Sequence, residues 1–135
     1  MSNLRNYQLE MDEYLKKLIH KPSLLLHSCC APCSSYVLTY LCEYFDITVF
    51  FYNPNITEEN EYKKRADEIK RLIDELPAEN EIKIMYGRYN PEAFIEMSKG
   101  LEKLPEGGER CFKCYRLRLS ETAQIAKENG FDFFT

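Results

Sequence analysis

Apolar residues recur along this chain in two alternating rhythms, short unbroken runs and three-to-four-residue spacings, which predict strands alternating with helices. A polar N-terminal stretch carries Tyr14, Leu15 and Leu18 on one helical face, and Pro22-Ser23 leads from it into Leu24-Leu25-Leu26, a run suited to a buried strand. Helical spacing returns with Tyr36, Val37, Tyr40, Leu41 and Tyr44. Residues 47–52 are β-branched and aromatic, as a sheet interior requires, and Asn53-Pro54-Asn55 ends them with turn chemistry. The next helix turns Tyr62, Ala66, Ile69, Ile73 and Leu76 toward a core, with Glu58 and Glu59 at its positive end and Pro77 closing it. Residues 82–85 form a third strand that turns at Gly87. Asn90-Pro91 opens a helix to about Gly100, because a capping side chain followed by proline suits a first turn. Pro105, Gly107 and Gly108 predict a mobile loop over 102–110. Leu117, Thr122, Ile125 and Ala126 then mark a helix ending at Gly130, and residues 131–135 read as a fourth strand.

This alternation predicts an α/β fold, an open parallel sheet with flanking helices, in which ligands collect at the carboxyl ends of the strands. The 135 residues suffice for one core, so we expect an N-terminal helical extension over 1–22 and an α/β domain over 23–135. The longest apolar runs fall far short of the roughly 20 residues of a membrane span, and residues 1–21 show no secretory pattern. A soluble, cytoplasmic protein with no membrane partner is expected. The net charge of −4 gives no general attraction to nucleic acid.

Six cysteines in a reducing compartment point to metal or redox chemistry rather than to a disulfide scaffold. Cys42 stands alone in an apolar stretch and reads as a small core residue. The other five form Cys29-Cys30-Ala31-Pro32-Cys33, at a predicted strand-to-helix junction, and Cys111-Phe112-Lys113-Cys114. Two C-x-x-C arms, Cys30/Cys33 and Cys111/Cys114, supply four soft ligands, which suit either a structural zinc ion or an iron-sulfur cluster. The first arm also has the form of a thiol-disulfide oxidoreductase site. Cys29 is a fifth clustered thiol, more than a closed tetrahedral zinc site uses, and it favours iron. A zinc-stabilised RNA-binding module and a dithiol oxidoreductase using Cys30 and Cys33 stay open as alternatives.

Three further features bear on chemistry. His27, two residues before Cys29, is a candidate proton donor or a hydrogen-bonded structural histidine. Tyr62 and Arg65 lie a helical turn apart, suited to stacking on a base or binding an anion, or to packing beside the core. Arg110, Lys113, Arg116 and Arg118 form a basic run, either a phosphate dock or a solvated helix face.

The residues His27-Ser28-Cys29-Cys30-Ala31-Pro32-Cys33, Phe51-Tyr52-Asn53-Pro54-Asn55-Ile56, Glu61-Tyr62 with Arg65, Arg110-Cys111 with Cys114, and Gly130-Phe131-Asp132 resemble the cobalamin-independent epoxyqueuosine reductases, the QueH family. The resemblance runs in order over 23–135. It implies a fold similar to the adenine-nucleotide α-hydrolase (PP-loop) group. It also implies an oxidoreductase of tRNA processing that removes the epoxide oxygen of epoxyqueuosine at the wobble position, the last step of queuosine biosynthesis. Implied cofactors are a 4Fe-4S cluster held by Cys30, Cys33, Cys111 and Cys114, and a second iron ion for which Cys29 is kept, unless Cys29 exchanges roles with Cys30. Cys29 and His27 are the implied catalytic residues. Tyr62, Arg65 and Arg110 are the implied substrate contacts, and the implied partners are tRNA carrying epoxyqueuosine and an electron donor. Members of that family continue past the position of Thr135, so the chain is expected to be incomplete at its C-terminus.

Overall fold

In the computed structural model, which describes residues 4–77 and 81–135, strands and helices alternate as the hydrophobic rhythm predicts. The order is α1 (Tyr7–Lys16), β1 (Ser23–His27), α2 (Ala31–Leu41), β2 (Asp46–Phe51), α3 (Glu59–Glu75), β3 (Lys83–Tyr86), α4 (Pro91–Ser98), α5 (Glu109–Glu128) and β4 (Phe133–Phe134). The four strands make one open sheet in the order β3-β2-β1-β4, and every pairing is parallel.

Helices cover both faces of this sheet, which is why its strands read as continuous apolar runs. Because side chains alternate along a strand, Leu24, Leu26, Ile47, Val49 and Phe51 join one core cluster, packed with Leu38 and Leu41 of α2 and Ala66 and Ile69 of α3. Leu25, Phe50 and Tyr52 belong to the opposite cluster, with Ala126 of α5.

The chain moves outward from β1 to β3 and then returns to lay β4 on the other side of β1. That reversal between β1 and β4 is the topological switch point of the sheet, where open α/β folds bind ligands. Backbone bonds seat β4 there, with the His27 amide donating to the Thr135 carbonyl at 2.7 Å and the Thr135 amide to that of Leu25 at 3.0 Å. At the opposite end the Asp132 carboxylate accepts from the Ser23 amide at 3.0 Å and the Ser23 hydroxyl at 3.2 Å. At the tip of β3, a Cβ on Gly87 would stand 2.9 Å from that of Tyr52, so the close approach of the two strands requires glycine.

Several local expectations change. In α1 the inward residue is Leu15, 3% exposed, while Tyr14 is 47% exposed. On α2, Ser34, Leu38 and Leu41 face the core and Tyr36 turns out, 70% exposed, because the helix presents its small and aliphatic residues to the crowded sheet. Cys42 is half-buried against the larger cluster rather than fully enclosed. The predicted loop over 102–110 is a succession of tight turns, closed by bonds such as Leu104 N to Leu101 O and Gly108 N to Pro105 O, both at 3.1 Å. Since α5 starts at Glu109, Arg110, Cys111 and Cys114 are helical residues. Among the described residues, no helix is long and apolar enough to cross a membrane.

Candidate metal and redox site

The first cysteine group sits where β1 hands over to α2. The Ser28 amide donates to the Phe50 carbonyl at 3.0 Å, extending the ladder one step beyond β1, and the chain then leaves the sheet through Cys29. Cys30 has extended backbone and occupies the N-cap of α2, with proline in the first turn. Three polar contacts fix this turn. The Ser34 hydroxyl donates to the Cys30 carbonyl at 2.8 Å, the Ser28 and Ser34 hydroxyls bond to one another, and the Asn53 amide nitrogen donates to the Ser28 carbonyl at 2.9 Å. Asn53 is only 1% exposed, so it ties the end of β2 to the cysteine turn from inside the protein.

The three thiols of this group are not equivalent. Burial pushes the Cys29 thiol up, its neighbour Cys30 adds to the rise, and Arg118 opposes both. Burial also acts upward on Cys30, but hydrogen bonds from the Cys33 backbone and side chain, the Cys29 thiol and the charge of Arg65 together bring it below the ordinary thiol value. Cys33, exposed on the first turn of α2, is raised because its own thiol donates to Cys30. The sulfurs of Cys29 and Cys30 are 4.0 Å apart.

The second group occupies the first turns of α5. The Gly107 amide donates to the Cys111 sulfur at 3.3 Å, and Cys114 is buried. Cys114, Arg118, Thr122 and Ala126 recur every four residues and form the buried stripe of this helix. Ala126 packs against Leu25, Phe50 and Tyr52, and from there the stripe runs back along α5 through Thr122 to Arg118 and Cys114. Arg118 is 9% exposed and does not belong to a solvated basic run, which corrects the reading of the four cations as one face. Its Nε donates to the Cys114 carbonyl at 3.4 Å, and its guanidinium lies 5.2 Å from the Tyr115 ring centroid. Burial raises the Cys114 thiol, and Arg118 again opposes the rise.

Of the remaining predicted residues, His27 donates from Nε2 to the Tyr52 carbonyl at 2.7 Å, which leaves Nδ1 as an acceptor. Burial holds the imidazole below its usual pKa, against the pull of that hydrogen bond, and Arg118 lowers it further, so it is neutral at pH 7. Tyr62 packs between Phe51, at 5.1 Å between ring centroids, and Tyr89, at 4.4 Å. Arg65 pairs with Glu61 at 2.7 Å, and its charge reaches Cys30 and Cys29. Arg110 donates to the Glu102 carbonyl at 2.9 Å and lines a cavity of about 360 Å³ with Cys111, Cys114 and Arg118. A larger cavity of about 590 Å³ opens at the switch point; His27, Cys29 and Cys33 form part of its wall, together with Tyr14, Tyr36 and Phe133.

The two cysteine groups therefore come to the same edge of the sheet from distant parts of the sequence, with Arg118 buried beside the second. The family model described as Epoxyqueuosine reductase QueH matches residues 24–135, spanning all four strands and both cysteine groups. The chain belongs to the QueH family. An epoxyqueuosine reductase QueH of Staphylococcus epidermidis is 37% identical over 99% of this chain and 61% of its own length. One from Streptococcus pyogenes serotype M1 is 42% identical over 96% of this chain and 52% of its own, and one from Thermotoga maritima is 34% identical over 84% and 57%. The chain thus spans little more than half the length of these QueH relatives.

Within this QueH chain the donor set suits an iron-sulfur centre in two respects. Five thiols reach one sheet edge, and a buried guanidinium with no carboxylate ion pair among the described residues calls for negative charge beside it. The side chains are not drawn into a closed constellation: among the described residues, no three His, Cys, Asp or Glu groups converge on one metal position. Ser34 escaped the sequence reading of the site, which met Ser28 and Asn53 only as motif residues and Arg118 only as part of a basic run. Only the spacing of Arg118 from Cys114 and Cys111, four and seven residues along a helix, carried a signal.

Proposed function

We propose that this chain carries the catalytic cysteines of an enzyme that reduces epoxyqueuosine to queuosine at the wobble position of tRNA. The observation that supports it best is the arrival of both cysteine arms at the carboxyl edge of the sheet, near the switch point and beside a cavity of a size that accepts a nucleoside. Cys30, Cys33, Cys111 and Cys114 would hold a 4Fe-4S cluster, and Cys29 a second iron. When bound, these groups supply two electrons from an external donor and an electrophile for the epoxide oxygen.

The chain's own residues set the conditions for that step. Two electrons and two protons convert the epoxide to an alkene and water, so the site must bind the nucleoside, keep bulk water out and pass protons. The aromatic walls of the larger cavity, Tyr14, Tyr36 and Phe133, offer faces against which a base stacks. The neutral imidazole of His27, fixed through Nε2 on the Tyr52 carbonyl, keeps Nδ1 ready to accept a proton and relay it. Arg65, paired with Glu61, would offer its charge to the anionic substrate, with Tyr62 one helical turn before it.

The test is anaerobic loading of the chain with iron and sulfide, followed by metal analysis and incubation with a tRNA containing epoxyqueuosine and a chemical reductant. Bound iron and sulfide, and nucleosides from which one oxygen has been lost, are the expected result. Stoichiometric zinc without sulfide would instead favour the RNA-binding module. A metal-free protein that reduces a test disulfide would favour the dithiol oxidoreductase.

A further inference from the structure

We propose that α1 is a strap across the switch-point cavity and that Tyr40 is the positioning residue that fastens it, so that access to Cys29 depends on whether the strap is docked. Gln8, Met11, Tyr14 and Leu15, all on α1, form one wall of the cavity of about 590 Å³, whose other walls come from β1, α2 and β4 and include Cys29 and Cys33 at the cysteine turn. The match to the family model begins at residue 24, so this wall lies outside the matched segment.

Three kinds of attachment hold α1 down. Leu15, its fully enclosed residue, joins the core cluster of Leu24, Leu26 and Leu41. Tyr14 meets Phe133 of β4 edge to face, with 6.1 Å between ring centroids. The Tyr40 hydroxyl donates to the Asp12 carboxylate, while the Gln8 side-chain amide donates to Tyr40 at 3.2 Å and to Asp12 at 2.9 Å, which ties α1 to α2 through a closed polar knot. The Tyr40 ring lies parallel to that of Tyr36 on the same helix, so its hydroxyl reaches α1 from a braced position.

The rest of α1 is loosely committed to the protein. Tyr7 and Leu9 are exposed, and Ile19, in the segment that joins α1 to β1, is 97% exposed. That segment ends at Pro22, whose carbonyl accepts from the Asp46 amide at 2.9 Å and so fixes the inner end of a hinge. A helix of ten residues does not persist alone in water, where even about 12–15 are marginal. Undocking therefore also melts α1, and docking and helix formation are one equilibrium. Segments held by so few contacts lie at the low end of local stability, from which lids are drawn. Keeping bulk water from the cavity is a role that rests on the proposed function; the fastening does not.

Hydrogen exchange in the metal-free full chain, followed by mass spectrometry of its peptides, reads the docking directly. Tyr40→Phe removes the hydroxyl and keeps the ring, and it should speed exchange over residues 7–16 by roughly threefold to tenfold, the equivalent of one hydrogen bond, with no change in β1 or α5. Asp12→Ala should do the same, and the double variant should add little to either, because both break one contact. On these variants the alkylation of Cys29 is then compared for a small reagent, iodoacetamide, and a bulky one, fluorescein maleimide, with Cys42, outside the cavity, as internal reference. The bulky-to-small rate ratio at Cys29 should rise severalfold while that of Cys42 holds. Wild-type exchange over 7–16 in Tyr40→Phe overturns the fastening, and so does acceleration spread evenly over the sheet, which marks a general loss of stability. A faster α1 with an unchanged Cys29 ratio overturns the control of access. No substrate enters either measurement, so failure of the strap and failure of the reduction assay are read separately.

Discussion

The two cysteine arms reach the same edge of the sheet by different constructions. The first is a turn outside regular structure, and its shape is held by polar side chains: Asn53 on the Ser28 carbonyl, Ser34 on the Cys30 carbonyl, and the two serines on each other. The second is a helix face, on which the regular geometry of α5 sets the spacing of Cys111 and Cys114 and the buried stripe sets their depth. A turn can crowd three thiols and give each a different acidity, as the lowered Cys30 and the raised Cys29 and Cys33 illustrate. A helix offers fewer thiols at fixed intervals but brings a buried cation with them. An asymmetric site, with one adaptable arm and one rigid arm, follows from that difference.

This contrast can be broken in graded steps. Removing a thiol from either arm is the largest: Cys30→Ser and Cys111→Ser should each abolish the visible absorption of protein loaded with iron and sulfide, and a variant retaining full absorption would exclude that residue as a ligand. Next comes the brace of the first arm. Asn53→Ala leaves the Ser28 carbonyl and the space around it unsatisfied in a fully buried position, and should cost about 1–3 kcal/mol in urea unfolding. Ser34→Ala should cost less, about 0.5–1.5 kcal/mol, while reducing metal uptake more than an equally destabilising change remote from the turn. The second arm takes its shape from the helix itself, so substitutions on the exposed face of α5, such as Arg116→Ala, should leave uptake unchanged.

The smallest expected effect lies on α1, away from both arms. The Tyr40 hydroxyl donates to Asp12 and holds that carboxyl below the usual carboxylate range, while the same bond pushes Tyr40 up to about 12. With a depressed Asp, the contribution of the pair is present above the unfolded value near ~3.9 and is lost as pH falls through the lower folded one. With a raised Tyr, it is present below the unfolded value near ~10 and lost as pH rises through the folded one. Melting temperatures of wild type and Tyr40→Phe should therefore differ slightly at pH 7 and converge in acid. A gap that does not narrow as pH falls through the acid range would dismiss the linkage.

Much of the fold was legible because buried parallel strands leave unbroken apolar runs, and 24–26 and 47–52 are conspicuous ones. Both cysteine groups were legible because their spacing is local. The buried stripe of α5 was legible only in Thr122 and Ala126, since Arg118 is charged by type and only its packing makes it interior. Leu15 rather than Tyr14 points inward for a similar reason: the angle at which α1 meets the sheet decides between adjacent residues, and no periodicity records it. The brace of the first arm depends on the meeting of Asn53 with Ser28, 25 positions apart, which a turn signal such as Asn-Pro-Asn cannot announce.

The clasp between Asp132 and Ser23 joins residues 109 positions apart, and it seats the strand beside β1 only once Asp132 has been made. Contacts of such long separation form late, because the loop they close must first be brought together. During synthesis the first three thiols emerge well before Cys111, Cys114 and Arg118 exist to face them. Assembly of the two arms therefore waits on synthesis past Arg118, and a growing chain passes through an interval in which Cys30 is without the second arm. Protection of that thiol during the interval, from oxidation or from the wrong metal, becomes a problem of timing rather than of shape.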